Sequence, residues 1–209
     1  MAQLTLFDTD EALLADDERG RISYRPGFVD ASTAEAWFAD LRGSVGWRSL
    51  RRTMYEREVD VPRLIGHFRL DPPDDSTPVA ILDAFRLVAD ALGVPFNSVG
   101  LNLYRNGRDS VAPHNDHLYE IVKGFPIALV SLGATRRMSI RAKEPPRRSI
   151  HIDLEPGSLL VMDYATQLHY THAVPKTAEP VGERISLAFR VKPARNATPA
   201  DDGGIGVYR

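Results

Sequence analysis

From Val99 to Lys192 apolar residues recur at every second position, in short runs broken by turn residues. Side chains of an extended strand alternate between its two faces, so such runs commit a chain to burying one face of several short strands against other elements. VGLNLYRNG sets Val99, Leu101 and Leu103 against Asn102 and Tyr104, and FPIALVSLG is apolar almost throughout. RRMSIRAK alternates around Met138 and Ile140, and RSIHIDLEPGSLLVMD divides into two strands at Pro156–Gly157. RISLAFRVK places Ile185, Leu187, Phe189 and Val191 on one side. Many short strands with turn signals between them predict a sandwich or barrel.

The first hundred residues follow a different period. ASTAEAWFADLRG predicts a helix capped by Asp30 or Ser32, with Trp37, Phe38 and Leu41 inward and Gly43 at its end. A second helix is predicted with Ser76 or Thr77 as cap, Pro78 in its first turn, and Ile81, Leu82, Phe85, Val88, Ala89 and Leu92 at helical spacing up to Gly93. ISYRPGF reads as a short strand, and the arginine-rich stretch from Trp47 to Leu70 as short strands or a long surface loop. The whole reads as one mainly β (α+β) domain over residues 1–209, buttressed by N-terminal helices, with 1–20 and 193–209 expected to be flexible.

Composition excludes several function classes. There is no cysteine, hence no disulfide framework, thiolate metal site or cysteine nucleophile. No apolar run approaches the roughly 18 residues of a membrane span, and the acidic start lacks the order of a secretory signal. A cytoplasmic monomer without membrane contact is expected. The net charge of −2 hides clustering: Arg48, Arg51, Arg52 and Arg57, then Arg136, Arg137, Arg141, Lys143, Arg147 and Arg148. That pattern suits either a phosphate-binding face or solvated surface charge.

Three constellations carry chemistry. In APHNDH, His114 and Asp116 stand two residues apart, on one side of an extended chain. HYTHAVPK supplies two further histidines, His169 and His172, the latter 58 residues beyond His114. Two histidines and one carboxylate make a facial triad with open positions, the set that suits Fe(II) oxygenases. Arg184 and Arg190 share one face of a strand, about 20 Å apart along it, and guanidinium forks suit carboxylates. Asn102 and Tyr104 share the polar face of another strand, where they can bond an oxygen-rich ligand or each other.

Taken together, NLYRNG, HND, GSLLVMD, HAVPK and RISLAFR resemble, in order and spacing, the motifs of the AlkB family of Fe(II)- and 2-oxoglutarate-dependent dioxygenases. The resemblance covers about Asn102 to Arg190; before it, only VPRLIGHF (61–68) resembles part of that family's nucleotide-recognition lid, placed over 47–71. It implies a double-stranded β-helix (jelly-roll) core. It implies His114, Asp116 and His172 as metal ligands, with His169 nearby, and Asn102, Tyr104, Arg184 and Arg190 as 2-oxoglutarate contacts. Arg63, His67, Phe68 and Arg136 are the candidate substrate contacts.

The implied cofactors are Fe(II), 2-oxoglutarate and O₂, and the implied reaction is oxidative demethylation of N-alkylated bases in single- or double-stranded DNA or in RNA, releasing formaldehyde, succinate and CO₂. The same chemistry on a modified tRNA base, a protein or a small molecule is the alternative, and a non-catalytic jelly-roll binding module is the reading from another class. After HND the chain continues His117, Leu118, Tyr119 and Glu120, where many repair members place acidic residues at once.

Overall fold

The computed structural model describes residues 11–54 and 57–194. Two antiparallel sheets form a sandwich, as the alternation of the C-terminal half requires. The larger has eight strands in the order β1-β2-β10-β7-β12-β5-β4-β3, and the smaller four in the order β6-β11-β8-β9. The N-terminal strands of the large sheet are β1 (Ala12–Asp17), β2 (Gly20–Arg25), β3 (Arg48–Met54) and β4 (Arg57–Arg69). Its remaining strands are β5 (Ser98–Tyr104), β7 (Ile127–Gly133), β10 (Leu159–Met162) and β12 (Arg184–Arg190). The small sheet holds β6 (Val111–His114), β8 (Arg136–Ala142), β9 (Ser149–Leu154) and β11 (Tyr170–Val174). This is the jelly-roll core expected.

Parity along the strands separates two apolar layers. Val99, Leu101 and Leu103 of β5, with Ile185, Leu187 and Phe189 of β12, face outward and pack under two helices, α1 (Ala31–Ser44) and α2 (Val79–Leu92). These strand positions are at most 1% exposed, and each side chain contributes roughly 1.5–3 kcal/mol by leaving water. The opposite face of the large sheet meets Met138, Ile140, Leu154 and Tyr170 of the small one in a second layer. Between the sheets the even-numbered positions of β12 are Arg184, Ser186, Ala188 and Arg190, so this strand brings a guanidinium at each of its ends into the layer.

The helices follow their signals with two corrections, the first that α1 runs past Gly43 to Ser44 and Val45 is its C-cap. Asp30 caps α1 by accepting from the Thr33 N–H at 3.0 Å, and the Gly93 end of α2 is left-handed. At the start of α2, however, neither Ser76 nor Thr77 is the cap: Pro78 occupies that position and lends no side-chain bond. Asp40 of α1 reaches across and accepts from the Ala80 N–H at 3.4 Å, so tertiary packing replaces a local cap.

One further expectation changes, and one open alternative is resolved. The stretch 1–20, expected loose, contributes β1, which pairs with β2 from Ala12 onward; residues 1–10, and 195–209 of the tail, lie outside the described residues. Of the two readings of the arginine-rich stretch before Leu70, the strands hold: β3 and β4 pair antiparallel, and β4 runs through Pro62 to join β5. Among the described residues no helix is long and apolar enough to cross a membrane.

Candidate metal and dicarboxylate site

The ligand atoms of His114, Asp116 and His172 lie within 4.8 Å of one another. Strand register brings them there. β11 and β6 are antiparallel neighbours with His172 paired to His114, and paired residues project to the same face. Their rings are 4.4 Å apart between centroids, and His172 Nε2 is 4.0 Å from Asp116 Oδ1. Nδ1 of His114 lies 3.0 Å from the Ala112 carbonyl, which can only accept, so Nδ1 carries the proton and Nε2 is left as the lone-pair donor.

Charge within the cluster favours metal ligation. Burial works to raise the Asp116 carboxyl, but Arg190, with His172 and His114, holds it at about 2. The Arg190 Nε–H donates to Asp116 Oδ2 at 2.6 Å, which leaves Oδ1 turned toward His172. Burial, then the neighbouring His114, pushes His172 down to about 3, and burial lowers His114 as well. A carboxylate and two neutral imidazoles are therefore presented at neutral pH, the protonation states a divalent cation needs.

A narrow cavity of about 60 Å³, lined by the triad, Asn102, Tyr104 and Arg184 among others, runs from this cluster along the inner face of β12. Arg184 is 1% exposed. Its Nη2 donates to Ser131 Oγ at 2.8 Å, while Nε and Nη1 have no hydrogen-bond partner among the described residues. Burial lowers this guanidinium's affinity for its proton, and the Tyr104 hydroxyl is the leading offset. A buried cation with two idle donors is costly unless an anion completes it.

Tyr104 is itself pushed up by burial, against the pull of Arg184, Arg63 and Arg136. Beside it, Asn102 accepts from the Arg63 Nε–H at 2.7 Å. Arg190 lies over Gly100, where an added Cβ would be 3.3 Å from Nη1.

The substrate candidates scatter. Arg63 lines the cavity. His67 pairs with Gly100 and so shares the cavity's face of the sheet; burial, then the charges of Lys192 and Arg190, lowers it. Phe68, its neighbour in sequence, necessarily faces the other way and packs into the helix-covered layer, so it is not at the site. Arg136 is 3% exposed and spends its donors on three backbone carbonyls, which removes it from the surface. His169 ends a short helix, α3 (Tyr164–His169), absent from the expected elements, and stands outside the three-residue cluster.

Sequence reasoning missed Gln167 in that helix. It is 1% exposed, and its Oε1 accepts from the Asp116 N–H at 2.9 Å. It missed Ser131 as well, because nothing in IALVSLG marks one serine as the partner of a distant arginine.

Comparison with known proteins agrees with this geometry. Residues 21–190 match the model of the 2OG-Fe(II) oxygenase superfamily. The alkB homolog 3 alpha-ketoglutarate-dependent dioxygenase of Bos taurus is 32% identical over 190 residues, covering 81% of this chain and 65% of the relative. The DNA oxidative demethylase ALKBH2 of Homo sapiens is 36% identical over 110 residues, 49% of this chain and 42% of its own length. The chain thus spans about 65% of the length of the alkB homolog 3 relatives it matches.

Among solved structures, OsALKBH1 superposes with a TM-score of 0.56 at 15% identity over 81% of this chain and 97% of that one. The epimerase SnoN from nogalamycin biosynthesis gives 0.57 at 15% identity over 88% and 90%. Those two likenesses concern the fold. The chain belongs to the 2OG-Fe(II) oxygenase superfamily and, within it, to the AlkB family. The cofactor set of that membership is Fe(II), 2-oxoglutarate and O₂. The residues fit it: two imidazoles and a carboxylate with no thiolate suit Fe(II), and the idle donors of Arg184 suit a carboxylate.

Proposed function

We propose that the protein is an Fe(II)- and 2-oxoglutarate-dependent dioxygenase that demethylates N-alkylated bases in nucleic acid. The observation that carries the reading is the His114–Asp116–His172 cluster sharing one cavity with a buried arginine, two of whose nitrogens have no partner among the described residues. Relatives matched over 81% or more of this chain are named alpha-ketoglutarate-dependent dioxygenases, and relatives matched over about half of it DNA oxidative demethylases.

In this reading His114, Asp116 and His172 hold the iron, and Arg184 takes the distal carboxylate of 2-oxoglutarate, with Tyr104 and Asn102 beside it. Bound iron supplies the oxidation: O₂ and 2-oxoglutarate are consumed to succinate and CO₂, and one oxygen atom enters the substrate's N-methyl group, which leaves as formaldehyde.

The chain's own residues bind and orient. Arg190 fixes the free Asp116 oxygen toward His172. The Ala112 carbonyl fixes the His114 tautomer. The apolar layer between the sheets keeps water from the inner end of the cavity. Arg63 lines the cavity and His67 shares its face of β4, which supports a role for both in meeting a base turned out of its stack.

The test is to supply Fe(II), 2-oxoglutarate and O₂ with N-methylated single- and double-stranded DNA and RNA, and to count succinate and formaldehyde. One formaldehyde per succinate with an oligonucleotide supports the proposal. Succinate without formaldehyde from any oligonucleotide removes the nucleic-acid substrate and points to another target of the same chemistry.

A further inference from the structure

Arg136 opens β8 and bonds three carbonyls that belong to two separate connections. Its Nη1 donates to Asn106 O at 3.0 Å, and its Nη2 to Asp109 O at 2.9 Å and Pro175 O at 2.8 Å. Asn106 and Asp109 lie in the loop that leads from β5 into β6, the strand that ends in His114. Pro175 directly follows β11, the strand that carries His172. One guanidinium thus spans the two backbones that present the histidines.

That link matters because the strands constrain each other weakly. β6 has four residues and lies at the edge of its sheet. Its pairing with β11 comprises two register pairs, His172–His114 and Val174–Val111, with an irregularity between them. A second stitch lies beside the first. The Thr177 N–H donates to Gly107 O at 2.9 Å, so close that a Cβ on Gly107 would be 2.4 Å from Thr177 O. The loop is also braced within itself, Arg105 donating to both Asp109 oxygens at 2.8 and 3.0 Å. On its other side the Arg136 guanidinium lies over the Tyr104 ring, 5.6 Å from its centroid, and Arg184 lies over the same ring at 5.3 Å.

We propose that Arg136 is a positioning residue for the whole centre: by bonding the 106–109 loop and Pro175 it sets the spacing of the strands that carry His114 and His172, and by covering Tyr104 it keeps that ring against Arg184. The proposal rests on reading the triad as a metal site. A lysine cannot replace the fork, because one ammonium lacks both the planar face and the spread of donors that reach three carbonyls.

The test uses the full chain and Mn(II) as the probe, titrated with and without 2-oxoglutarate, alongside thermal melting of the metal-free protein. Arg136→Lys should fold and bind Mn(II) about 10-fold or more weakly, the range known for residues that orient metal ligands. Gly107→Ala, which forces the loop from Thr177 while leaving Arg136 in place, should weaken binding in the same direction. Arg137→Lys is the control: Arg137 is exposed, paired with Asp153, and should bind within about two-fold of the parent.

Lower melting with Mn(II) affinity unchanged in both Arg136→Lys and Gly107→Ala would reduce Arg136 to a fold-stabilising role and overturn the proposal. If Arg136→Lys does not fold, Gly107→Ala decides alone. A parent protein that binds no Mn(II) overturns the metal reading itself, a result distinct from an unaffected variant.

Discussion

Arg184 and His67 both face the space between the sheets, one from the centre of the large sheet, the other from β4 near its edge. Around Arg184 every neighbour is fixed from both sides: β12 is paired along its length with β5 and with β7, and the guanidinium is 1% exposed. His67 is exposed, and its strand continues into a hairpin that projects beyond the sheet's interior pairs. A central strand therefore fixes Arg184, whereas β4, nearer the edge, offers side chains that a substrate can still rearrange. In the proposed function the dicarboxylate contact lies in the paired interior of the large sheet, and the substrate contacts lie nearer its edge.

The sharpest way to break this division is to alter the triad. His172→Ala should abolish Mn(II) binding and succinate formation, while His169→Ala, at the end of α3, should keep most of both; the reverse outcome would move the centre. Next in size is Arg184→Met. It should raise the 2-oxoglutarate KM at least about 30-fold, the equivalent of the roughly 2 kcal/mol lower bound for truncating a buried charge pair. Melting of the ligand-free protein should hold or rise, because two unfilled buried donors are removed. A falling Tm with an unchanged KM would make Arg184 structural.

The smallest effects should separate two neighbours on β4. Phe68→Ala should cost about 2 kcal/mol of stability, less than the roughly 3–5 of a fully buried phenylalanine, with oligonucleotide KM unchanged. His67→Ala should leave stability within about 0.5 kcal/mol and raise oligonucleotide KM about five-fold, near 1 kcal/mol of lost stacking. If Phe68→Ala changes KM and His67→Ala does not, the division between interior and edge fails on this strand.

What the sequence made legible follows the same line. The His114–Asp116 pair, the paired arginines and the Asn102–Tyr104 strand stood out because period-two parity is local; Asp116 in fact lies just past the end of β6, and His172 was set apart from His169 by the family resemblance alone. The odd-numbered face of β12 was likewise readable as core and is buried. His67 and Phe68 were not separable, since adjacent strand residues face opposite ways and only the pairing of His67 with Gly100 decides which one meets the cavity. Arg136 looked like surface charge because its partners are carbonyls, which no side-chain pattern announces. Gln167 and Ser131 were hidden for a related reason: each is bonded to a residue more than 50 positions away.

The central claim is that one cavity holds a metal at His114, Asp116 and His172 and a dicarboxylate at Arg184. The direct measurement is a crystal structure of the protein loaded with Mn(II) and 2-oxoglutarate. The account predicts the ion on His114 Nε2, Asp116 Oδ1 and His172 Nε2, with the distal carboxylate accepting from the donors of Arg184 that are now unfilled. An ion held elsewhere, or 2-oxoglutarate bound with those Arg184 donors still idle, would contradict it.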